Sequence, residues 1–202
     1  MKSSEFIFEN PYLNSQEFND ALSNVHTSYQ GLSRENDSLG ALIRSGTEYN
    51  FWLSKSRATA KVSTAVDDDP ARQRIVCEIR FQVPAELPVT NPLQVRTVFT
   101  DVDYRTQWLG GILYVVLAKY GYSVISDFEQ SRSGAELWRK IGEESSAVGY
   151  VVRIFDDQRE DWIRDKNNQP VKYNAANIPS ADIWKDVSQK HQPTTLLVLT
   201  KD

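Results

Sequence analysis

Residues 100–121, TDVDYRTQWLGGILYVVLAKYG, hold a strand ending, a glycine-bearing loop and a helix start in one short stretch. The stretch closes the apolar run LQVRTVFT (93–100), and beyond it Leu109, Ile112, Leu113, Val116, Leu117 and Tyr120 fall on one helical face until Gly121 stops the pattern. A strand that passes through glycines into a helix presents unpaired backbone donors and the positive end of the helix dipole, the arrangement that holds a phosphate. Trp108 stands where a small residue would suit an approaching anion. Its indole either swings outward or fills the space.

Downstream, YSVISD (122–127) reads as a short buried strand, parallel to its predecessor because a helical crossover separates them. SGAELWRKIGE (133–143) follows as a helix with Leu137, Trp138 and Ile141 on one side, and GYVVRIF (149–155) and TTLLVLT (194–200) are strands. Upstream, ATAKVSTAV (58–66) and RIVCEIRFQV (74–83) alternate with a period of two around the turn-forming DDDPA, which predicts an antiparallel hairpin with a somewhat longer loop. PAELPVTNP (84–92) then breaks regular structure.

In the first 57 residues the spacing of Phe18, Leu22, Val25, Tyr29 and Leu32 predicts an amphipathic helix over 14–32. A second short helix is expected over DSLGALIRSG (37–46), on Leu39, Leu42 and Ile43. Residues 157–193 form a polar insertion before the last strand; its mixed charges in DDQREDWIRDKNNQ read as a solvated face, and its Trp162 and Trp184 as core residues or as interface anchors. No repeat or linker divides the chain, so 1–202 is expected to be a single domain.

Composition narrows the function. Hydrophobic residues at 40% and charged residues at 25% suit a globular fold. The formal net charge of −4, with no basic run, argues against an extended nucleic-acid partner. Cys77, the one cysteine, sits inside an alternating apolar run and reads as a reduced core thiol. His26 and His191 are far apart in sequence, so no metal site is expected. Nothing approaches the ~20 apolar residues of a membrane span, and a cytoplasmic location is the default.

The order of elements from residue 58 to 155 resembles that of the GCN5-related N-acetyltransferases. Tyr104, Arg105, Thr106, Gln107, Trp108, Leu109 and Gly110 stand where that family carries Tyr-Arg-x-x-Gly-x-Gly/Ala. In SRSGAELWRKIG, Ser131, Gly134, Leu137, Trp138, Lys140 and Gly142 are in register with Asn-x-x-Ala-x-x-Leu-Tyr-x-Lys-x-Gly. VISDFEQSRSGAELW is closest to divergent members of phage type, which would work in the host cytoplasm. The resemblance implies an α/β fold: a mixed, mostly antiparallel sheet, flanked by helices on both faces, with its central strands splayed. Residues 1–57 would be a divergent helical addition.

The resemblance also implies a chemistry. Acetyl-CoA would lie between two splayed strands, its pantetheine amides on the backbone edge of Val98, Phe99 and Thr100. Its pyrophosphate would meet the amides of residues 105–111, from Arg105 through Thr106, Gln107, Trp108, Leu109 and Gly110 to Gly111, with Ser131 and Trp138 nearby. Ser126 and Asp127 lie at the mouth of the cleft, to bind the amine acceptor, with Asp127 as base, or to cap the following helix. Glu78 and Glu129 are lesser candidates. Trp138 replaces the tyrosine that often protonates the departing thiolate, and an indole N–H is not acidic enough for that step. The alternative is a catalytically inactive scaffold that binds a host protein.

Overall fold

The computed structural model describes residues 26–82, 84, 86–128, 132–174, 178, 183 and 195–202. The chain runs β1 (His26–Ser28), α1 (Tyr29–Glu35), β2 (Asn36–Arg44), β3 (Thr47–Ser54), β4 (Thr59–Val66), β5 (Asp69–Gln82) and β6 (Pro92–Thr100). A 3-10 turn (Val102–Gln107) leads into α2 (Leu109–Lys119), then β7 (Ser123–Ile125), α3 (Arg132–Glu144), β8 (Tyr150–Asp156), β9 (Asp161–Trp162) and β10 (Thr195–Lys201). This is an α/β fold dominated by one sheet, ordered β2-β3-β4-β5-β6-β7-β10-β8-β9, with β1 added on β5. Every pairing is antiparallel except β6 with β7. The mostly antiparallel sheet and the parallel pair across a helical crossover are as the sequence predicts.

The N-terminal part differs from expectation. Residues 14–25 of the predicted first helix lie outside the described residues; 26–28 are a strand, and only Tyr29–Glu35 are helical. The helix expected over 37–46 is strand β2, hairpinned to β3. Leu39, Leu42 and Ile43 have helical spacing, but a β-bulge between Ser38 and Ala41, with Gly40 at φ 95°, breaks the period of two and mimics it. Only Leu39 of the three is buried. The β4–β5 loop is also tighter than expected: Asp67 and Asp68, with φ of 53° and 59°, form a two-residue turn between Val66 and Asp69.

Helices α2 and α3 pack one face of the sheet. Leu109, Leu113, Leu117, Trp138 and Ile141 join Phe51, Leu53, Val62, Ile79, Val124, Ile154 and Leu197 in the main core. Neighbouring strand residues point to the opposite face. There α1 supplies Leu32 to Trp52, Ile75 and Phe99, while Leu87, Val89, Phe128 and Trp162 cover Ile125, Phe155, Leu196 and Val198. Among the described residues, the long helices therefore share one face, and the other is covered by α1, by Trp162 of β9 and by irregular segments.

The insertion is only partly a solvated face. Residues 157–161 and 163–169 are half-buried to exposed, as their mixed charge predicts, but Trp162 packs edge-on against Phe155 at 5.4 Å. Tyr173 is buried against α3 beside Gly142, where an added Cβ would come within 2.7 Å of its ring. Trp184 and His191 lie outside the described residues.

Candidate functional site

The parallel pairing of β6 with β7 covers three residue pairs, Pro92–Ser123, Leu93–Val124 and Gln94–Ile125, and stops. β6 continues to Thr100, paired only with β5, and no strand among the described residues pairs with its other edge beyond Gln94. A one-residue bulge at Arg96, between the Phe81–Val95 and Arg80–Thr97 pairs, bends β6 where the pairing ends. Thr97, just after the bulge, keeps a buried hydroxyl oxygen with no hydrogen-bond partner. Val98 to Thr100, the expected backbone edge, lie in β6 beyond its pairing with β7. Each side chain is otherwise engaged: Val98 faces α2, Phe99 packs in the α1 cluster beneath the Arg80 guanidinium, and Thr100 donates from Oγ1 to Cys77 Sγ at 3.5 Å.

The loop after Thr100 is fixed by its own side chains. Asp101 is buried, pairs with Arg74 and accepts from the Asp103 amide at 3.1 Å, which starts the 3-10 turn. Arg105 turns back, its Nε donating to the Thr100 carbonyl at 3.2 Å. Thr106 is exposed, and the Gln107 carbonyl accepts from Arg44 Nη1 at 2.7 Å, tying β2 to the loop.

Trp108 links the 3-10 turn to α2 with φ 58° and ψ 33°. That is the left-handed region, which costs a bulky side chain about 1–2 kcal/mol and suits glycine. A glycine is what the resembling pattern carries here. The indole folds over the first turn of α2: a Cβ on Gly111 would lie 2.4 Å from its ring. Lys140 Nζ of α3 stands 4.5 Å from the ring centroid, a cation–π contact, and 3.8 Å from Glu144 Oε1. Gly110 serves packing, since a Cβ there would lie 3.2 Å from Val98 Cγ1 and 3.9 Å from Leu137 Cδ2. Leu109 is wholly buried in the core. The first hydrogen bond of the helix runs from Ile112 N to Trp108 O at 3.2 Å, so the amides before it have no intrahelical acceptor.

Past the end of β7, Gln94 Nε2 of β6 donates to the Ser126 carbonyl at 3.4 Å. Ser126 is fully buried, donates its amide to the Leu197 carbonyl at 2.8 Å, and accepts from the Leu197 amide on Oγ at 2.9 Å. It extends the β7–β10 ladder by one position, which gives its hydroxyl a structural task. Asp127 is half-buried, and its Oδ1 accepts from the Phe128 amide at 2.8 Å and from Gln82 Nε2 at 3.3 Å. Glu78 is paired with Arg80 at 2.7 Å. Ser131 and Glu129 lie outside the described residues.

Trp138 is buried, with its ring 5.2 Å from that of Tyr114 on α2. Sequence reading singled out neither Tyr114 nor a role for Lys140. Burial pushes the Tyr114 phenol well above its ordinary value, with smaller contributions from Cys77 and Asp127. Cys77, buried under α2, is pushed up to about 12 by desolvation and has no access to substrate. Among the described residues no cluster of His, Cys, Asp or Glu is placed to hold a metal ion, and no helix is long and apolar enough to cross a membrane.

No family model matches the chain, and no curated protein is significantly similar to it.

Proposed function

We propose that the protein is an N-acyltransferase that moves an acyl group from acyl-CoA to an amine, on a GCN5-related scaffold. The reading is carried by the early end of the β6–β7 pairing. β7 is three residues long and pairs with β6 over its whole length, so β6 runs on past it toward the C-terminal end of the parallel pair, where open α/β sheets bind their ligands. An extended pantetheine arm with two amides pairs with such an edge as a short strand would.

In the reaction the amine nitrogen attacks the thioester carbonyl carbon, the C–S bond breaks, and the sulfur leaves as thiolate, which takes up the proton the nitrogen loses. Asp127, at the end of β7, takes that proton from the nitrogen, passes it on to the thiolate and orients the acceptor, with Gln82 holding its carboxylate. The test is release of free thiol from acetyl-CoA and from S-acetylpantetheine, in the presence of polyamines, amino acids and peptides. Amine-dependent release that falls on Asp127→Asn supports the reading. No release, and no thermal shift with either thioester, overturns it.

A second reading has its own observation. Trp108, its ring on the first turn of α2, and the buried Trp138 stand at the two positions where the resembling family carries a glycine and a tyrosine, and the Ser126 hydroxyl is engaged in the sheet. A scaffold so filled would serve as a binding protein for a host factor. It predicts a stable complex with one protein and no thiol release.

A further inference from the structure

We infer that β2 is a self-association surface, through which two copies of the chain pair edge to edge, antiparallel, about a two-fold axis that joins their sheets. The surface stands whether or not the acyltransferase reading does.

β2 is at one end of the strand order and pairs with β3 on one side. Seven of its nine residues are exposed, and they include two large apolar side chains, Leu42 at 38% and Ile43 at 71%. Single apolar residues on a surface are ordinary, but in an edge strand they invite a further strand. The hairpin is preorganised to receive one. Ser45 and Gly46, with φ of 51° and 80°, close a two-residue turn, and Arg44 Nη1 donates to the Gln107 carbonyl at 2.7 Å.

The strand itself specifies the occupant. A β-bulge ordinarily spoils an edge, because its extra residue breaks a regular ladder laid against it. The bulge between Ser38 and Ala41 is matched by a strand with the same extra residue running the other way, which a second copy supplies. The register that brings the two bulges face to face sets Asp37 opposite Arg44, Ser38 opposite Ile43, Leu39 opposite Leu42 and Gly40 opposite Ala41, each pair twice by symmetry. Residues opposite each other about such an axis must share a sheet face, and these do. Asp37, Leu39, Leu42 and Arg44 lie on the side of Leu53 and Tyr49, and Ser38 and Ile43 on the side of Trp52.

The backbone agrees. Arg44 and Thr47 flank the turn and bond inward, so Ile43, Ala41 and Ser38, which pair with Glu48, Asn50 and Trp52, turn their main-chain groups outward. Ser38 and Ile43 then exchange hydrogen bonds between the copies. The Asp37–Arg44 pairs fall at the closer, non-bonded positions and place an ion pair at each end. At the axis the Gly40 amide is satisfied by Ser38 Oγ at 3.3 Å and needs no partner across it. A slip of two residues would set Asp37 opposite Leu42 and lose both ion pairs.

The experiment is sedimentation velocity of the full chain from about 1 to about 500 µM, in wild type, Asp37→Arg, Arg44→Asp and an equimolar mixture of the two variants, with hydrogen exchange of the 36–44 amides at both ends of the range. Both side chains are exposed, so both variants are expected to fold. Wild type should pass from monomer to dimer over that range, and exchange at Ile43 should slow as it does. Each variant alone sets like charges opposite each other twice and should weaken dimerisation by about tenfold or more. The mixture restores both opposite-charge pairs in a heterodimer and should return to within about threefold of wild type. Association that the single reversals leave untouched, or that mixing does not rescue, would place the contact elsewhere and overturn the inference. A chain that stays monomeric overturns it too: Ile43 protected at every concentration would mean that a segment of the same chain covers the edge, and Ile43 unprotected throughout would leave the edge to a different protein or to none.

Discussion

Two of the junctions that join strands distant in sequence end differently. β10 and β8 pair over seven residues, Thr195–Asp156 through Lys201–Tyr150, and are clasped beyond their ends by Asp202 on Arg153 at 3.0 Å and on Lys172 at 2.8 Å. β6 and β7 pair over three, which is the whole of β7, and β6 runs on to Thr100 paired with β5. Backbone groups seek partners wherever they are available. The short junction is set by the length of β7, which on its other side pairs with β10 through Val124 and Ile125 and then through the amide and hydroxyl of Ser126. Among the described residues, no strand follows β6 past Gln94 on that side.

The strongest way to break this comparison is to remove what stands behind the short junction. Trp138 is buried against Tyr114, so Trp138→Ala should cost about 3–5 kcal/mol in urea unfolding. A loss below about 1 kcal/mol would mean that the helix layer does not hold the strands in their places. Next in size is the indole seat. Gly111→Ala puts a methyl into the ring and should cost about 1–3 kcal/mol. In the Trp108→Gly background the same change should turn neutral or favourable by up to about 1 kcal/mol, because alanine is the better helix former. A double-mutant cycle with no coupling between positions 108 and 111 would show that the ring does not occupy that seat.

Ser126 and Asp127 sharpen the comparison, since adjacent residues are given different work. Ser126→Ala leaves the buried Leu197 amide without its acceptor and should cost about 1–3 kcal/mol, with turnover per folded molecule unchanged. Asp127→Asn should do the reverse, keeping stability while lowering amine-dependent thiol release by about 100-fold. Equal effects on both measurements for both residues would erase the distinction.

How far the sequence carries this picture depends on the range of the forces. β6, α2, β7, β8 and β10 are legible because their apolar residues recur with the period of the element itself. β2 is misread because one bulged residue at Gly40 converts alternation into the spacing of a helix. β3, TEYNFWLS, escapes notice for another reason: Phe51 and Leu53 pack on one face and Trp52 on the other, so no alternation is left to see. At the site, the glycine-bearing loop and the unusual tryptophan are visible as letters. That the ring sits on Gly111 under Lys140 is a tertiary fact, joining residues 108, 111 and 140, and no local pattern encodes it.

The smallest effect is expected at the zipped junction. Lys172, hydrogen-bonded to the Asp202 carboxylate, and secondarily Arg153 hold that carboxyl below its ordinary value. A depressed carboxyl stabilises the fold above the unfolded value, near ~3.9, and that contribution fades as the pH falls through the lower folded value. Both partners are solvent-exposed enough for salt to screen them. The stability difference between wild type and Asp202→Asn should therefore be small, constant above about pH 5, and absent at about pH 2. It should shrink in high salt at neutral pH. A difference that survives at low pH would locate the contribution in the packing of the chain end, and the clasp would then be no part of what distinguishes the long junction from the short one.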